Sequence, residues 1–180
     1  MVDLTILQNL SYIAGALGVC VAASYYVMNL RETTRNRRAT TSNNIQQLFL
    51  TEEWQQRFFE VMSMQWKDFD DFKKKYDSSV NPQSYFKRNS ILVQYDNLGR
   101  QYRSGVIDLE AFGSVSAYAL VLTWLKYKPI IEGYRGIEYP RDGFSDFEHI
   151  AKAFVKKLTD NDAEFMKNIG ALGRTIPFTH

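Results

Sequence analysis

LTILQNLSYIAGALGVCVAASYYVMNL (Leu4–Leu30) carries no charged side chain, and RETTRNRR (Arg31–Arg38) follows it directly. Wound as a helix, the apolar run reaches about 40 Å at roughly 1.5 Å per residue, enough to cross a hydrocarbon core of about 30 Å with some tilt. Three readings compete for it. A cleaved secretory signal calls for a basic segment ahead of a short apolar stretch. Here Asp3 is the one charged side chain ahead of the run, and the run is too long. A soluble helix of this length turns a charged face to water, and this one has none to turn. A retained single transmembrane span fits the residues best.

The flanks set the expected orientation. Arg31, Arg35, Arg37 and Arg38 against Glu32 leave a net +3 just past the run. Basic residues concentrate on the cytoplasmic side, so the part beyond Arg38 is expected in the cytoplasm, at the cell membrane, with the amino end outside. Tyr12 and the Tyr25-Tyr26 pair suit the interfacial positions that aromatic rings favour. Inside the run, Ala14, Gly18 and Ala22 recur every fourth residue, as do Ala16, Cys20 and Ser24, and Ser11 with Gly15. Small residues so spaced let a second helix approach closely. Ser11, Ala14, Gly15, Gly18 and Ala22 therefore mark an expected packing face toward other transmembrane subunits. The four arginines are the expected contact with anionic lipid headgroups, at about 1 kcal/mol per basic residue. Cys20 is the single cysteine, which leaves no intrachain disulfide to form.

The whole chain has 22 basic and 20 acidic residues; residues 1–38 hold four of the first and two of the second, which leaves 18 of each beyond them. A nucleic-acid partner is not expected, because the rest of the chain has no basic excess to concentrate on a face. The 11 Tyr and 12 Phe supply core-forming rings, and the four prolines all lie beyond Asn81.

Residues 31–49 continue the first helix or begin a second, with TTSNN (40–44) as a candidate break. Thr51 caps a helix in which Trp54, Phe58, Val61 and Met62 recur at helical spacing. A short helix over 67–76 places Phe69, Phe72 and Tyr76 on one side. Asn81-Pro82 opens another, which carries Ile91, Tyr95, Leu98 and Tyr102 and stops at Gly105. Asp108 is expected to cap the next, whose interior Ala111–Leu125 is apolar on nearly every side. At about 22 Å it is short for a second span and reads instead as a buried central helix. Pro129 opens a further short helical turn through Arg135. Ser145-Asp146-Phe147-Glu148 reads as a capping box before a helix bearing Phe147, Ile150, Phe154 and Leu158. A last short helix over 162–169 ends at Gly170. No strand alternation is present. The fold class is all-α, one transmembrane helix followed by a helical bundle. Its parts are an anchor (1–30), a basic juxtamembrane helix (31–50), a bundle (51–160) and a short helix with a tail (161–180).

Chemistry is sparse. Asp146 and His149 share a helix face, with Glu148 beside them, which allows a metal pair completed by carboxylates. The same acids have a simpler use at a helix amino end. Asp68, Asp70 and Asp71 lack the spacing and the glycine of a calcium loop, and with Lys73, Lys74 and Lys75 behind them they match the helix dipole. Trp54, Trp66 and Trp124 read as core. There is no phosphate-binding glycine loop, zinc-protease pair or nucleophile elbow. No catalytic, cofactor-binding or metal-ligating residue is assigned, and no cofactor is expected.

MSMQWKDFDDFKKKY (Met62–Tyr76), Asn81-Pro82, Gly105-Val106-Ile107-Asp108 and Trp124–Ile131 with Gly133-Tyr134-Arg135 together resemble a family of uncharacterised membrane-anchored proteins of archaea and bacteria. The resemblance spans roughly residues 5–158. It implies an amino-terminal anchor and no assigned activity, so no catalytic residue is carried over. The chain departs from the pattern in its longer tail past Leu158 and in the small, apolar middle of Ala111–Leu125. The favoured function is a non-enzymatic accessory or scaffold subunit of a larger membrane complex. Its partners would be the lipid bilayer and other transmembrane subunits. The alternatives are a membrane-tethered metal-binding protein or enzyme using Asp146, Glu148 and His149 or Asp68, Asp70 and Asp71, and a lipid or ligand sensor working through Arg31–Arg38.

Overall fold

The computed structural model describes residues 4–161 and Glu164. The described chain is all-α. It divides into two compact units, one through Thr41 and one from Ser42 onward. The short helix expected over 162–169, and the tail after it, lie outside the described residues apart from Glu164.

The first unit consists of one helix, α1, which runs unbroken from Leu4 to Leu50 and ends in the second unit. The polar run at 40–44 does not break it. Polar side chains interrupt helices by competing for backbone groups. Here Thr41 donates to the carbonyl of Arg37 at 2.9 Å, within the helix, and Ser42 donates across to the carbonyl of Ala111 at 3.0 Å.

The second unit buries Ile45 and Phe49 from the last turns of α1. Five helices follow: α2 (Glu52–Ser63), α3 (Phe69–Tyr76), α4 (Pro82–Arg103), α5 (Ser114–Tyr134) and α6 (Ser145–Asn161). Thr51 caps α2, Asp68 caps α3 and Asn81 caps α4, each accepting from a backbone N–H three residues on. Gly105 ends α4 with φ +71°, a left-handed conformation that a side chain would strain. The core lies between α4, α5 and α6. Tyr95 stacks on Phe147 at 5.1 Å, and Trp124 meets the same ring edge-on at 5.3 Å. All three tryptophans are buried, as expected.

Three local expectations are corrected. Asp108 caps only a single 3-10 turn, Leu109–Ala111, and α5 begins at Ser114, after Gly113. Pro129 opens no new helix; it lies inside α5. Proline removes the hydrogen bond to the carbonyl four residues back. That residue is Leu125, one of the more exposed positions of the helix at 40%. Ser145 is the first residue of α6 rather than its cap. The N–H of Phe147 is taken instead by Asp96 of α4 at 3.0 Å. A capping carboxylate therefore arrives from another helix.

That cap needs α4 and α6 close together, and Gly99 permits it. A Cβ at Gly99 would collide with the carbonyl of Asp146 and stand 2.9 Å from the nitrogen of Phe147. Backbone cannot give way as a flexible side chain can. Gly99→Ala should therefore destabilise the helical unit by about 1–3 kcal/mol, in the range of other overpacking changes. Gly113→Ala, where a Cβ meets nothing within 4 Å, should leave the melting temperature nearly unchanged. Thermal melts of the two variants check the contrast.

Candidate functional site

No cleft lined by convergent polar groups stands out among the described residues. Along α1 the described large apolar side chains from Leu4 to Leu30 are 46–80% exposed. The helix is long and apolar enough to cross a membrane. At its basic end Arg31, Arg35 and Arg38 share with Val27, Leu30 and Thr34 a shallow hollow of about 420 Å³. Arg37 is exposed outside it. Ser11 and Ser24 return their hydroxyls to the carbonyls of Leu7 and Cys20 within the helix. Ala14, Gly15, Gly18 and Ala22 are exposed, and a Cβ at either glycine would meet nothing within 4 Å.

The second surface feature is an apolar groove of about 890 Å³ in the helical unit. Phe49 and Leu50 from the end of α1, Trp54, Phe58 and Phe59 of α2, and Val115 of α5 form its walls. Phe49 meets Trp54 edge-on at 4.7 Å, and Trp54 stacks on Phe58 at 4.9 Å, so the floor is a continuous aromatic array. No charged side chain lines it.

Two cations are buried in the helical unit. Arg88 donates to the carbonyl of Tyr76 at 3.1 Å, and its guanidinium carbon lies 4.7 Å from the Phe72 ring centre and 5.3 Å from that of Tyr85. Aromatic faces attract a cation, which offsets part of its desolvation. Lys126 of α5, only 3% exposed, donates to the carbonyls of Met62 at 2.5 Å and Met64 at 2.7 Å. It also stands 4.9 Å from the Trp66 ring centre. The hydroxyl of its neighbour Tyr127 donates to the carbonyl of Val61 at 2.7 Å. Together the two side chains donate to the carbonyls of Val61 and Met62 at the end of α2 and to that of its C-cap, Met64, where a helix end leaves carbonyls short of partners. The sequence pattern puts Lys126 at the boundary of the apolar stretch; its position one residue before Tyr127, inside the helix, is the available signal. Nothing in the pattern singles out Arg88.

Burial pulls the Lys126 ammonium down to about 8, and raises the phenol of Tyr127 above its ordinary range. Asp77 is held below the usual carboxylate range, first by the N–H of Ser79 and then by the Tyr134 hydroxyl, which donates to it at 2.9 Å. These groups are buried and hydrogen-bonded within the protein, Asp77 both to Ser79 beside it and to Tyr134 of α5.

The acidic clusters are likewise occupied. Asp146 accepts from Arg100 at 3.3 Å and Arg103 at 3.0 Å. Glu148 accepts from Lys152 at 2.6 Å and Arg135 at 2.9 Å, and the Lys152 bond leads in lowering its carboxyl. The His149 ring lies 5.7 Å from that of Tyr102. Asp68 caps α3, and Asp71 accepts from Lys75 at 2.8 Å and from the N–H of Lys67 at 2.9 Å. Among the described residues, no group of three or more His, Cys, Asp or Glu side chains is arranged to hold a metal ion. The two clusters do not assemble the ligand set that the metal-binding alternative requires.

Residues 12–154 match the family described as a domain of unknown function, DUF4760. The chain belongs to this family. The DUF4760 match covers most of the charge-free run, the arginines and the helical unit as far as Phe154. No curated protein and no solved structure matches the chain. The residue pattern points to an uncharacterised family over nearly the same stretch.

The buried ammonium gives a pH test. In the folded protein Lys126 loses its proton near pH 8, whereas an exposed lysine holds it to about 10.5. Between those values the unfolded chain binds more protons, so this group's contribution to stability rises with pH. The penalty for its charge is fully expressed below pH 8. Lys126→Met should flatten that rise. It should also lower stability at pH 9, because the carbonyls of Met62 and Met64 lose their donor. Denaturant titrations at pH 7, 8, 9 and 10 on both proteins measure the difference.

Proposed function

We propose that this protein is a non-enzymatic accessory or scaffold subunit of a membrane complex, anchored by α1 as a single span. The helical unit stands at the cytoplasmic face of the cell membrane. The observation that carries the reading is α1 itself. A helix with no charge from Leu4 to Leu30 and large apolar side chains exposed all along it is costly in water, at about 25 cal/mol for each Å² of apolar surface. A bilayer removes that cost and leaves the backbone bonds intact. The family match supports the reading, because it begins at Tyr12, inside the run.

Ser11, Ala14, Gly15, Gly18 and Ala22 are the proposed contact for helices of other subunits, where small side chains permit close approach. Arg31, Arg35, Arg37 and Arg38 are the proposed contact with lipid headgroups and fix the orientation. In the helical unit the buried cations bind backbone carbonyls and aromatic faces. The acids of both clusters make caps and ion pairs. This use of the polar groups favours a structural role over a catalytic one.

Three measurements test this. The full chain should stay with the membrane through an alkaline carbonate wash; release into the supernatant would refute the anchor. With Cys20 replaced by Ser, a cysteine at Asn36 should resist a membrane-impermeant maleimide in intact cells and one at Thr5 should react; the opposite pattern would invert the orientation. Gentle detergent extraction should give a particle well above 20.9 kDa containing other chains. Gly18→Leu should shrink that particle without releasing the chain from the membrane.

A further inference from the structure

We propose that Arg88 anchors a binding site for a carboxylate anion, held by the Nε–Nη2 edge of its guanidinium together with the hydroxyl of Tyr139. Arg88 lies in α4 and is fully buried. One nitrogen, Nη1, donates to the carbonyl of Tyr76 at 3.1 Å, while Nε and Nη2 meet no acceptor among the described residues. A charge buried without an ionic partner is costly. The rings of Phe72 and Tyr85, 4.7 and 5.3 Å from the guanidinium carbon, offset only part of that cost.

The groups left over select the ligand. Nε–H and Nη2–H point along the same edge of the guanidinium, spaced to reach both oxygens of a carboxylate in its plane. The Tyr139 hydroxyl is a third buried polar group without a partner. It lies close enough to Arg88 for the guanidinium to oppose the rise that burial gives its phenol. A planar group fits in the plane of a guanidinium flanked by rings, where a tetrahedral one needs more depth. The acids nearby do not supply that group. Asp77, next to Tyr76, spends its carboxylate on Ser79 and on the Tyr134 hydroxyl. Glu138, next to Tyr139, is exposed, and its carboxyl is raised, by partial desolvation first and then by Asp77. A carboxylate seated on a guanidinium edge is lowered instead. Access is local, because Tyr85 and Tyr139 are only half-buried. Rotation of one ring uncovers the edge without moving a helix.

Nothing in the site depends on α1 spanning a membrane, and the full chain in detergent serves for the test, with acetate as the probe. At fixed ionic strength and pH 7, acetate should raise the melting temperature by several degrees, in proportion to the logarithm of its concentration. Chloride should not, and neither should acetamide, which has the same shape without the charge. Tyr139→Phe keeps the ring against Tyr134 and Phe144. It should weaken acetate binding in a calorimetric titration about fivefold, the worth of one hydrogen bond. Arg88→Lys keeps the charge but loses the fork, and should abolish binding. If that variant does not fold, Tyr139→Phe decides. Absence of acetate-specific stabilisation in the unaltered chain would overturn the proposal, and so would acetate binding unchanged by Tyr139→Phe. Tighter binding of inorganic phosphate than of acetate would overturn it as well and assign the edge to a tetrahedral oxyanion. Acetate binding seen only after Glu138→Gln would also overturn it, since Glu138 would then hold the edge in solution.

Discussion

The helical unit depends on one close crossing, where Gly99 of α4 lies against the backbone of Asp146 at the start of α6. Several interactions require that spacing. Asp96 reaches the N–H of Phe147 with one carboxylate oxygen and accepts from Arg100 with the other. Arg100 and Arg103, on the last turn of the same helix, hold the Asp146 carboxylate. The negative side chains thus gather at the positive end of α6 and the positive ones at the negative end of α4, as both helix dipoles favour. Phe147 is then fixed between Tyr95 and Trp124, and the three helices share one aromatic centre. A larger residue at position 99 would separate the backbones and weaken the cap, the ion pairs and the ring stack together.

The opposite side of the unit is held by buried cations instead of a glycine contact. Lys126 and Tyr127, adjacent on α5, take carbonyls of Val61 and Met62 at the end of α2 and of Met64 just past it. Arg88 on α4 takes a carbonyl at the end of α3. Helix ends within a fold need partners for orphan carbonyls, and long basic side chains supply them from a distance. Burial of the charges is costly, but aromatic faces at Trp66, Phe72 and Tyr85 recover part of the cost. The result fastens two short helices that bury little surface on their own. It also explains why a lysine with a depressed ionisation range here is no sign of catalysis: its donors already face carbonyls, and it is nearly closed to solvent.

Helix identity was legible in the residues wherever a local signal exists. Thr51 and Asn81 each cap the helix that follows, because a short polar side chain beside a run of helix formers satisfies the first free N–H groups, while Asp68, expected inside a helix over 67–76, is the cap of one that begins at Phe69. The failures occur where a distant partner replaces the local signal. Ser145 has the residues of a capping box behind it, yet Asp96 delivers the cap from α4. Pro129 carries the local mark of a helix start. The packing of Ile130, Ile131 and Tyr134 into the core instead keeps α5 intact through it. Lys126 marks an edge by charge, but its position relative to α2 brings it inside. The acidic clusters were legible as helix-end charges, and that is how the structure uses them. The cap at Asp96, the crossing at Gly99 and the burial of Arg88 depend on which helices lie together, and spacing within one helix contains no trace of it.

The two units arrange their apolar side chains in opposite ways. In the helical unit most large apolar side chains turn inward and, Asp77, Arg88 and Lys126 apart, the described charges lie toward the outside. From Leu4 to Leu30 the apolar side chains turn outward on every face, and no charge occurs until Arg31. Neither pattern suits the other's surroundings. The arginines mark the change between them, since a guanidinium resists entry into hydrocarbon and its long stem allows the helix to vary in depth. The whole basic excess of the chain lies at this one place. The rest of the chain has equal numbers of acidic and basic residues. The charge asymmetry of this chain is thus confined to the end of its apolar helix, where the arginines of Arg31–Arg38 stand.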